Sequence, residues 1–214
     1  MKNIPIFTTD WGVATLLLKE IPYKEIAYVK IQDVQPGHIK ELCDECAAFC
    51  RAAGAEMVIA SGHEELGGYP FYASVLTMRL AGVSRELTDA CLFPVTELTV
   101  VRWRSIYNEK MRDVDFAETL TAFDEKEILS SGGAYFVHKD GELLGIGWME
   151  GSELRAIAST VPGMGETVAR ALFTLADSDS VCLQVASTNA RAIRLYERLG
   201  FIATGEKNRG YRIR

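Results

Sequence analysis

The sequence lacks the features that would assign it to several specialised classes of protein. An apolar stretch at residues 13–18 is far too short to cross a bilayer, and no targeting segment is visible. Only five cysteines are present, an odd number that does not suggest a disulfide framework, so a reducing cytoplasm is expected. Basic charge is not in excess either, because the net charge is −6. This balance argues against a general nucleic-acid or membrane-surface partner.

Two common phosphate-binding motifs are also incomplete. No Gly-Lys-Ser/Thr follows Gly163 and Gly165, which excludes a P-loop, and the third glycine of the dinucleotide fingerprint is missing. What is present is Pro-Gly-Met-Gly between a predicted strand at 153–160 and a predicted helix at 166–176. Glycines let a backbone approach phosphate closely, and a helix start offers unpaired amides. A plain strand-to-helix turn is the alternative interpretation.

Periodicity predicts a mixture of strands and helices, with 214 residues suiting one large domain or two small ones. In the first half, Pro36-Gly37 opens a helix whose apolar stripe includes Leu42, Cys46 and Phe49. In the second half, residues 97–104 alternate as a strand. Residues 114–129 are predicted to be a helix with inward-facing Phe116, Leu120 and Phe123. Asp140-Gly141 is a strong hairpin signal.

The helix predicted over residues 189–199 carries the most specific pattern. Asn189 occupies the cap position, Tyr196 belongs to the buried face with its hydroxyl near the edge, and Gly200 closes the helix. Residues 189–201 resemble the Asn-x-x-Ala-x-x-Leu-Tyr-Glu-x-Leu-Gly-Phe signature of the GNAT superfamily of acetyltransferases, matching all eight signature positions. The upstream order of hairpin, strand, Gly-x-Gly turn, helix and strand is also the family's order.

The resemblance covers residues 97–214 and implies a fold class. That class is α/β, an α+β mixed sheet with the GNAT-like acyl-CoA N-acyltransferase fold. The sheet would splay between parallel strands at 154–160 and 181–186, and acetyl-CoA, a cosubstrate, would lie in the gap. The resemblance therefore implies an acyl-CoA-dependent N-acetyltransferase.

Roles for individual residues follow from the same resemblance. Backbone groups on the first splayed strand would pair with the pantetheine arm, and an amide there would polarise the acetyl carbonyl. Tyr196 would be the catalytic general acid for the departing thiolate, since a phenol with an ordinary pKa of about 10 stays protonated at neutral pH. The implied cofactor-binding residues are Ala156, Ile157, Ala158, Gly163, Met164, Gly165, Glu166, Thr167, Asn189, Arg191, Ala192 and Tyr196.

The phosphate loop departs from the family pattern at one position. The family has Gln or Arg three residues before the first glycine, where this chain has Thr160, and Pro162 directly precedes Gly163. The loop is therefore expected to offer phosphate one basic or amide side chain fewer, and affinity would depend more on backbone amides.

The first half of the chain repeats landmarks of the second at an offset of 126 positions. Pro36-Gly37 falls on Pro162-Gly163, but Ile39 replaces Gly165, His63 replaces Asn189 and Pro70 replaces Tyr196. This pattern predicts a degenerate GNAT-like domain at 1–82 without a second active site, a connector at 83–96 and the acetyltransferase domain at 97–214.

The three clustered cysteines have two interpretations. Cys43, Cys46 and Cys50 share one helical face, which suits metal ligands, but that face is the apolar stripe and a fourth ligand is not evident. Buried core cysteines are the preferred interpretation, and no metal is predicted.

The function expected from the sequence is direct transfer of an acetyl group to a primary amine within a ternary complex. The acceptor, a small molecule or a peptide, is not identified, and no residue is assigned as the general base. A monomer or homodimer is expected. The alternative is a non-catalytic GNAT-like module that senses CoA or binds another protein.

Overall fold

The computed structural model describes residues 5–83 and 88–213. Its contacts divide the chain into unit 1, Met1–Val75 with Glu206–Arg214, and unit 2, Leu76–Gly205. The sequence predicts a boundary at residue 82 instead, with the final residues assigned to the second domain. Part of the predicted connector, residues 84–87, lies outside the described residues.

Unit 1 is a sheet with one long helix against it. Its strand order is β1-β2-β3-β4-β11. Strands β1 to β3 are antiparallel neighbours, β3 and β4 are parallel, and β11 pairs antiparallel with β4. The elements in chain order are β1 (Ile6–Thr9), β2 (Gly12–Leu17), α1 (Ile21–Lys24), β3 (Ile26–Val34), α2 (Ile39–Ala52), β4 (Met57–Ser61), a 3-10 helix (Glu64–Gly68), the start of β5 (Phe71–Ala81) and the end of β11 (Ile202–Arg212).

The predicted stripe of α2 is largely confirmed. Leu42, Cys43, Cys46 and Cys50 are fully buried in the core of unit 1. Phe49 is an exception, because 45% of it is exposed and its ring lies on Phe7 at a centroid distance of 5.1 Å. The three cysteines are therefore core residues of an amphipathic helix.

Unit 2 is a mixed sheet with helices packed against it. Its strand order is β5-β10-β9-β8-β7-β6, with β11 beside β5. Strands β6 to β9 are antiparallel neighbours, whereas β9 and β10 are parallel. The elements are β6 (Cys91–Pro94), α3 (Val100–Met111), α4 (Glu125–Ser131), β7 (Ala134–Lys139), β8 (Glu142–Glu150), β9 (Glu153–Ser159), α5 (Gly165–Phe173), β10 (Ser180–Ala186), α6 (Ala190–Arg198) and β11.

The hairpin between β7 and β8 confirms its sequence signal. Asp140 and Gly141 have φ angles of +50° and +83°, the left-handed pair that a two-residue turn of this kind requires. Strand β8 then runs through the centre of unit 2. One apolar cluster packs with α5 and includes Val168, Leu172 and Leu183. A second packs with α3 and includes Trp103 and Trp148.

Two predicted elements around α3 are wrong. Residues 97–104 are not a strand, because Val100 and Trp103 are buried at helical spacing on α3. The helix predicted over residues 114–129 is reduced to α4. Asn108 instead fixes an irregular segment, since its side chain donates to the Leu120 carbonyl at 2.8 Å and accepts from the Leu120 amide at 2.9 Å. Phe123, predicted to face inward, is 94% exposed.

In the part of the chain that is described, no helix combines the length and the apolar character needed to span a membrane.

Candidate functional site

The two parallel strands of unit 2 separate soon after they meet. Register pairs join Cys182 to Glu153 and Leu183 to Leu154, and the ladder between β9 and β10 ends there. On its other edge β9 remains paired with β8 as far as Ser159. The strands therefore splay over the second half of β9, as the resemblance implied.

The ladder with β8 determines which backbone groups of β9 face the gap. The Thr160 amide donates to the Leu144 carbonyl at 2.9 Å, and Ala158 and Ala156 follow on the same register. Backbone groups alternate along an antiparallel ladder, so the amides of Ala156 and Ala158 point towards β8. The Ile157 amide points the other way, towards the gap. Of the three positions on β9 that the sequence predicts to bind the cofactor, Ile157 is the one with a backbone amide directed there.

The N-terminus of α5 lies directly after β9. Gly163 has a φ of +85°, and a Cβ at this position would meet no atom within 4 Å, so the turn is open to a ligand. Met164 is the N-cap and supplies no side-chain cap, while its own amide donates to the Val161 carbonyl at 3.3 Å. The amides of Gly165, Glu166 and Thr167 therefore begin the helix without partners from a cap.

The second glycine of the turn has a packing role. A Cβ on Gly165 would lie 3.0 Å from Cδ2 of Leu195 on α6. Glycine therefore lets the start of α5 lie close to the Leu195 side chain in the second half of α6. In this way the structure brings together two predicted parts of the site, the phosphate turn and the signature helix.

The polar side chains nearest the turn bond to other protein groups, so the backbone amides are the main groups that the turn offers to an anion. The Thr160 hydroxyl donates to the Leu143 carbonyl at 2.5 Å, so it is directed into the β8–β9 hairpin. Glu166 is the acidic residue of the first turn, and Arg170 holds its carboxylate at 2.9 Å. This ion pair reduces the repulsion that an unpaired carboxylate would impose on a bound phosphate.

Asn189 has the capping position that the sequence predicted. Its Oδ1 accepts from the Ala192 amide at 3.1 Å, which satisfies one backbone donor at the start of α6. The Asn189 Nδ2 group makes no hydrogen bond to the residues that the structure describes, so it remains available to a ligand.

Tyr196 is buried with an unsatisfied hydroxyl. The residue is 6% exposed, its ring packs on Phe201 at 5.6 Å, and it belongs to the cluster against which Ile157 packs. Within residues 5–83 and 88–213 the hydroxyl has no hydrogen-bond partner, although it is not a fully enclosed atom. Burial raises the pKa of Tyr196, so the phenol stays protonated across the neutral range.

One interaction in this region has no signal in the sequence. The Thr188 hydroxyl, just before the cap of α6, donates to Asp115 at 2.6 Å, and Phe116 beside it has a φ of +58°. No local pattern could have revealed a pair so distant in sequence. It fixes the loop after β10 to the segment that follows α3.

No metal centre is indicated in the described residues, where no group of three or more histidine, cysteine or acidic side chains could hold an ion. The cysteines of α2 are reduced and buried. Burial raises the pKa of Cys43 and Cys50 to about 11 and that of Cys46 to about 12, so the thiolate form that binds metal is strongly disfavoured.

No protein-family model matches the chain, and no curated protein matches it. Solved structures do. A GCN5-related N-acetyltransferase from Sphaerobacter thermophilus is 14% identical with a TM-score of 0.61, covering 94% of this chain and 76% of its own. A conserved protein of unknown function from Staphylococcus epidermidis is 14% identical with a TM-score of 0.58, covering 99% and 95%.

A tandem GNAT protein from the clavulanic acid biosynthesis pathway is also similar, at 13% identity with a TM-score of 0.50, covering 95% of this chain and 79% of its own. At such identities the likeness concerns the fold. Together with the splayed β9 and β10, it shows that this chain has the fold of the GNAT superfamily.

Proposed function

We propose that the protein is an N-acetyltransferase that transfers the acetyl group of acetyl-CoA directly to a primary amine. The observation that supports this best is the separation of β9 and β10 after Leu154 and Leu183, next to the uncapped start of α5. An extended pantetheine arm can enter such a gap as an additional strand. Helix amides at its end suit a pyrophosphate.

The backbone of Ile157 is the proposed binding edge for the thioester. Its amide points into the gap, so it can donate to the acetyl carbonyl as negative charge develops on the oxygen. The side chains of Ala156 and Ala158 are buried in the apolar cluster on the α3 side of β9, so the thioester is proposed to meet the strand through its backbone. The neutral amine nitrogen forms the new bond to the acetyl carbon and loses a proton to solvent. The carbon–sulfur bond breaks, and the departing thiolate takes up a proton to become free CoA.

Tyr196 is the proposed donor to the departing sulfur. The Tyr196 hydroxyl has no hydrogen-bond partner among the described residues, so it can donate to a thiolate that develops beside it. The raised pKa keeps the proton in place before the reaction. The raised pKa also makes the phenol a weaker acid. Tyr196 is therefore expected to stabilise the sulfur by a hydrogen bond, and a tyrosinate is not expected to accumulate.

Thermal unfolding with acetyl-CoA tests the binding step. A ligand at about 100 times its Kd stabilises the folded state by roughly 2.7 kcal/mol, which raises the Tm by several degrees. We expect this shift with acetyl-CoA and CoA but not with adenosine. An unchanged Tm at millimolar acetyl-CoA would exclude both an acetyltransferase and a CoA sensor.

A non-catalytic CoA-binding module is the second candidate. It is favoured by the direction of the Thr160 hydroxyl, which is bonded to Leu143 and contributes nothing to a phosphate. A screen of small amines and lysine peptides for release of the CoA thiol separates the two. Acetyl-CoA binding without thiol release for any acceptor would favour the module, whereas release above the hydrolysis rate identifies the enzyme and its acceptor class.

A further inference from the structure

Helix α6 carries a row of three exposed arginines on an otherwise acidic protein. Arg191, Arg194 and Arg198 are all exposed, while the chain has a net charge of −6. None of the three forms an ion pair or hydrogen bond with the described residues. Spacings of three and four residues place them on one side of the helix.

The row is unfavourable for the helix by itself. Like charges at spacings of three and four repel, and Arg191 lies in the first turn, where the helix dipole already favours negative charge. No acidic residue occupies that turn. Glu197 lies on a different side of α6 and makes no ion pair within the described residues. A bound anion would relieve this repulsion.

The row also borders the proposed phosphate turn. Leu195, which lies beside Gly165 at the start of α5, has Arg191 one turn before it and Arg198 three residues after it. Arg194 lies further out on the same side. A nucleotide whose pyrophosphate meets the α5 amides would therefore extend along this side of α6.

We infer that the arginine row of α6, Arg191, Arg194 and Arg198, binds the 3′-phosphate of CoA and makes the site selective for CoA over its dephosphorylated form. The inference rests on the proposed function. It also accounts for the altered loop, because α6 supplies the basic side chains that the turn lacks at Thr160. Guanidinium groups suit this role, since they form paired hydrogen bonds to phosphate oxygens.

Calorimetric titration of the full chain with CoA and with 3′-dephospho-CoA tests this inference. Wild-type protein is expected to bind CoA about tenfold more tightly, as charge-assisted hydrogen bonds to one phosphate group provide. The double variant Arg194→Gln/Arg198→Gln is expected to lose this preference while retaining its affinity for 3′-dephospho-CoA. Arg102→Gln is the matched control, since Arg102 is an exposed arginine on α3 that forms no ion pair with the described residues.

The outcomes separate the inference from the proposed function. The inference is overturned if the wild type binds CoA and 3′-dephospho-CoA equally tightly, or if the double variant loses the same factor in affinity for both. Either result leaves the proposal that the protein binds acetyl-CoA unaffected. Failure of both nucleotides to bind the wild type overturns the proposed function. Salt provides a measurement without any variant, because the preference for CoA should shrink as ionic strength rises.

Discussion

Units 1 and 2 each contain two parallel strands joined through a Pro-Gly turn and a helix, yet only one pair separates. In unit 1, β3 and β4 are in register from Ile26 and Met57 to Lys30 and Ser61. In unit 2, two register pairs join β9 to β10. Five paired positions close the first sheet, whereas two leave the second with an open edge. The same order of elements can therefore form a closed structural sheet or a ligand-sized gap.

Local sequence differences accompany this contrast. Gly37 and Gly163 have nearly the same φ, +82° and +85°, so the turn itself is shared. The position after next is Ile39 in unit 1 and Gly165 in unit 2, where a Cβ would lie 3.0 Å from the Leu195 side chain. His63 caps a 3-10 helix of five residues, whereas Asn189 caps the nine-residue α6. These differences are the reason to propose one acetyl-CoA site per chain.

The largest expected effect on activity comes from Tyr196→Phe, which tests whether unit 2 contains the catalytic site. Removing the donor to sulfur is expected to lower kcat about 100-fold, in the usual range for general acid catalysis, with little change in the Kd of acetyl-CoA. Steady-state rates and calorimetry measure the two quantities. Tyr23→Phe, an exposed tyrosine of unit 1, is the control. Equal losses in rate and binding would indicate a packing role for Tyr196.

The next largest effect is a difference between the two units in the reactivity of their cysteines. Cys91 of unit 2 is exposed, while Cys43, Cys46 and Cys50 of unit 1 are buried with raised pKa values of about 11 to 12. At neutral pH the thiolate fraction of these three cysteines is about 100-fold or more below that of a thiol with the ordinary pKa of 9.0, because each pKa increase of one lowers the fraction tenfold. Timed alkylation with mass spectrometry should therefore label Cys91 long before α2. Rapid labelling of α2 would contradict its packing.

The same raised pKa values predict an alkaline limit for unit 1. Unfolded thiols lose protons as pH rises through their ordinary value of 9.0, whereas the folded ones retain them towards about 11. The unfolded state then binds fewer protons, so the free energy of unfolding falls as pH rises above 9.0. Denaturant titrations that follow Trp11 fluorescence measure this loss.

A smaller effect is expected from making the turn of unit 2 resemble that of unit 1. Gly165→Ile places a branched side chain where a Cβ already lies 3.0 Å from Leu195. The start of α5 should move away from Leu195 of α6, and acetyl-CoA affinity should fall about tenfold. Ile39→Gly in unit 1 is the reciprocal variant and should create no second site. Unchanged affinity in Gly165→Ile would remove the proposed role of this close approach.

The smallest effect concerns the two caps. Asn189→Ala removes a 3.1 Å cap bond from α6 and is expected to cost about 1 kcal/mol of stability. His63→Ala removes a longer, exposed bond of 3.3 Å and should cost less. Denaturant unfolding separates them, because Trp103 and Trp148 report on unit 2 and Trp11 on unit 1. A larger cost at His63 would reverse this order.

Sequence patterns predicted unit 2 best where local chemistry decides the structure. Asp140-Gly141 requires one kind of hairpin, and the periodicity of residues 189–199 fixes α6 and its cap. The same reasoning was wrong at residues 97–104, since Val101 and Trp103 fit the alternation of a strand while Val100 and Trp103 fit the spacing of a helix. Interactions distant in sequence, such as Thr188 to Asp115, leave no local pattern. The direction of the Ile157 amide likewise depends on its register with β8.

The position of Ile213 means that unit 1 can complete its core only after residues far along the chain have been synthesised. This residue is 1% exposed in the core of unit 1, and its neighbours Tyr211 and Arg212 pair with Ala60 and Ile59. A ribosome makes Ala60 roughly 150 residues before Ile213, and that interval lasts about 8 to 30 s at ordinary rates of synthesis. All of unit 2 emerges in that interval. Unit 1 therefore begins before unit 2 along the chain but is completed after it, and expression of residues 1–75 alone would leave its sheet without β11.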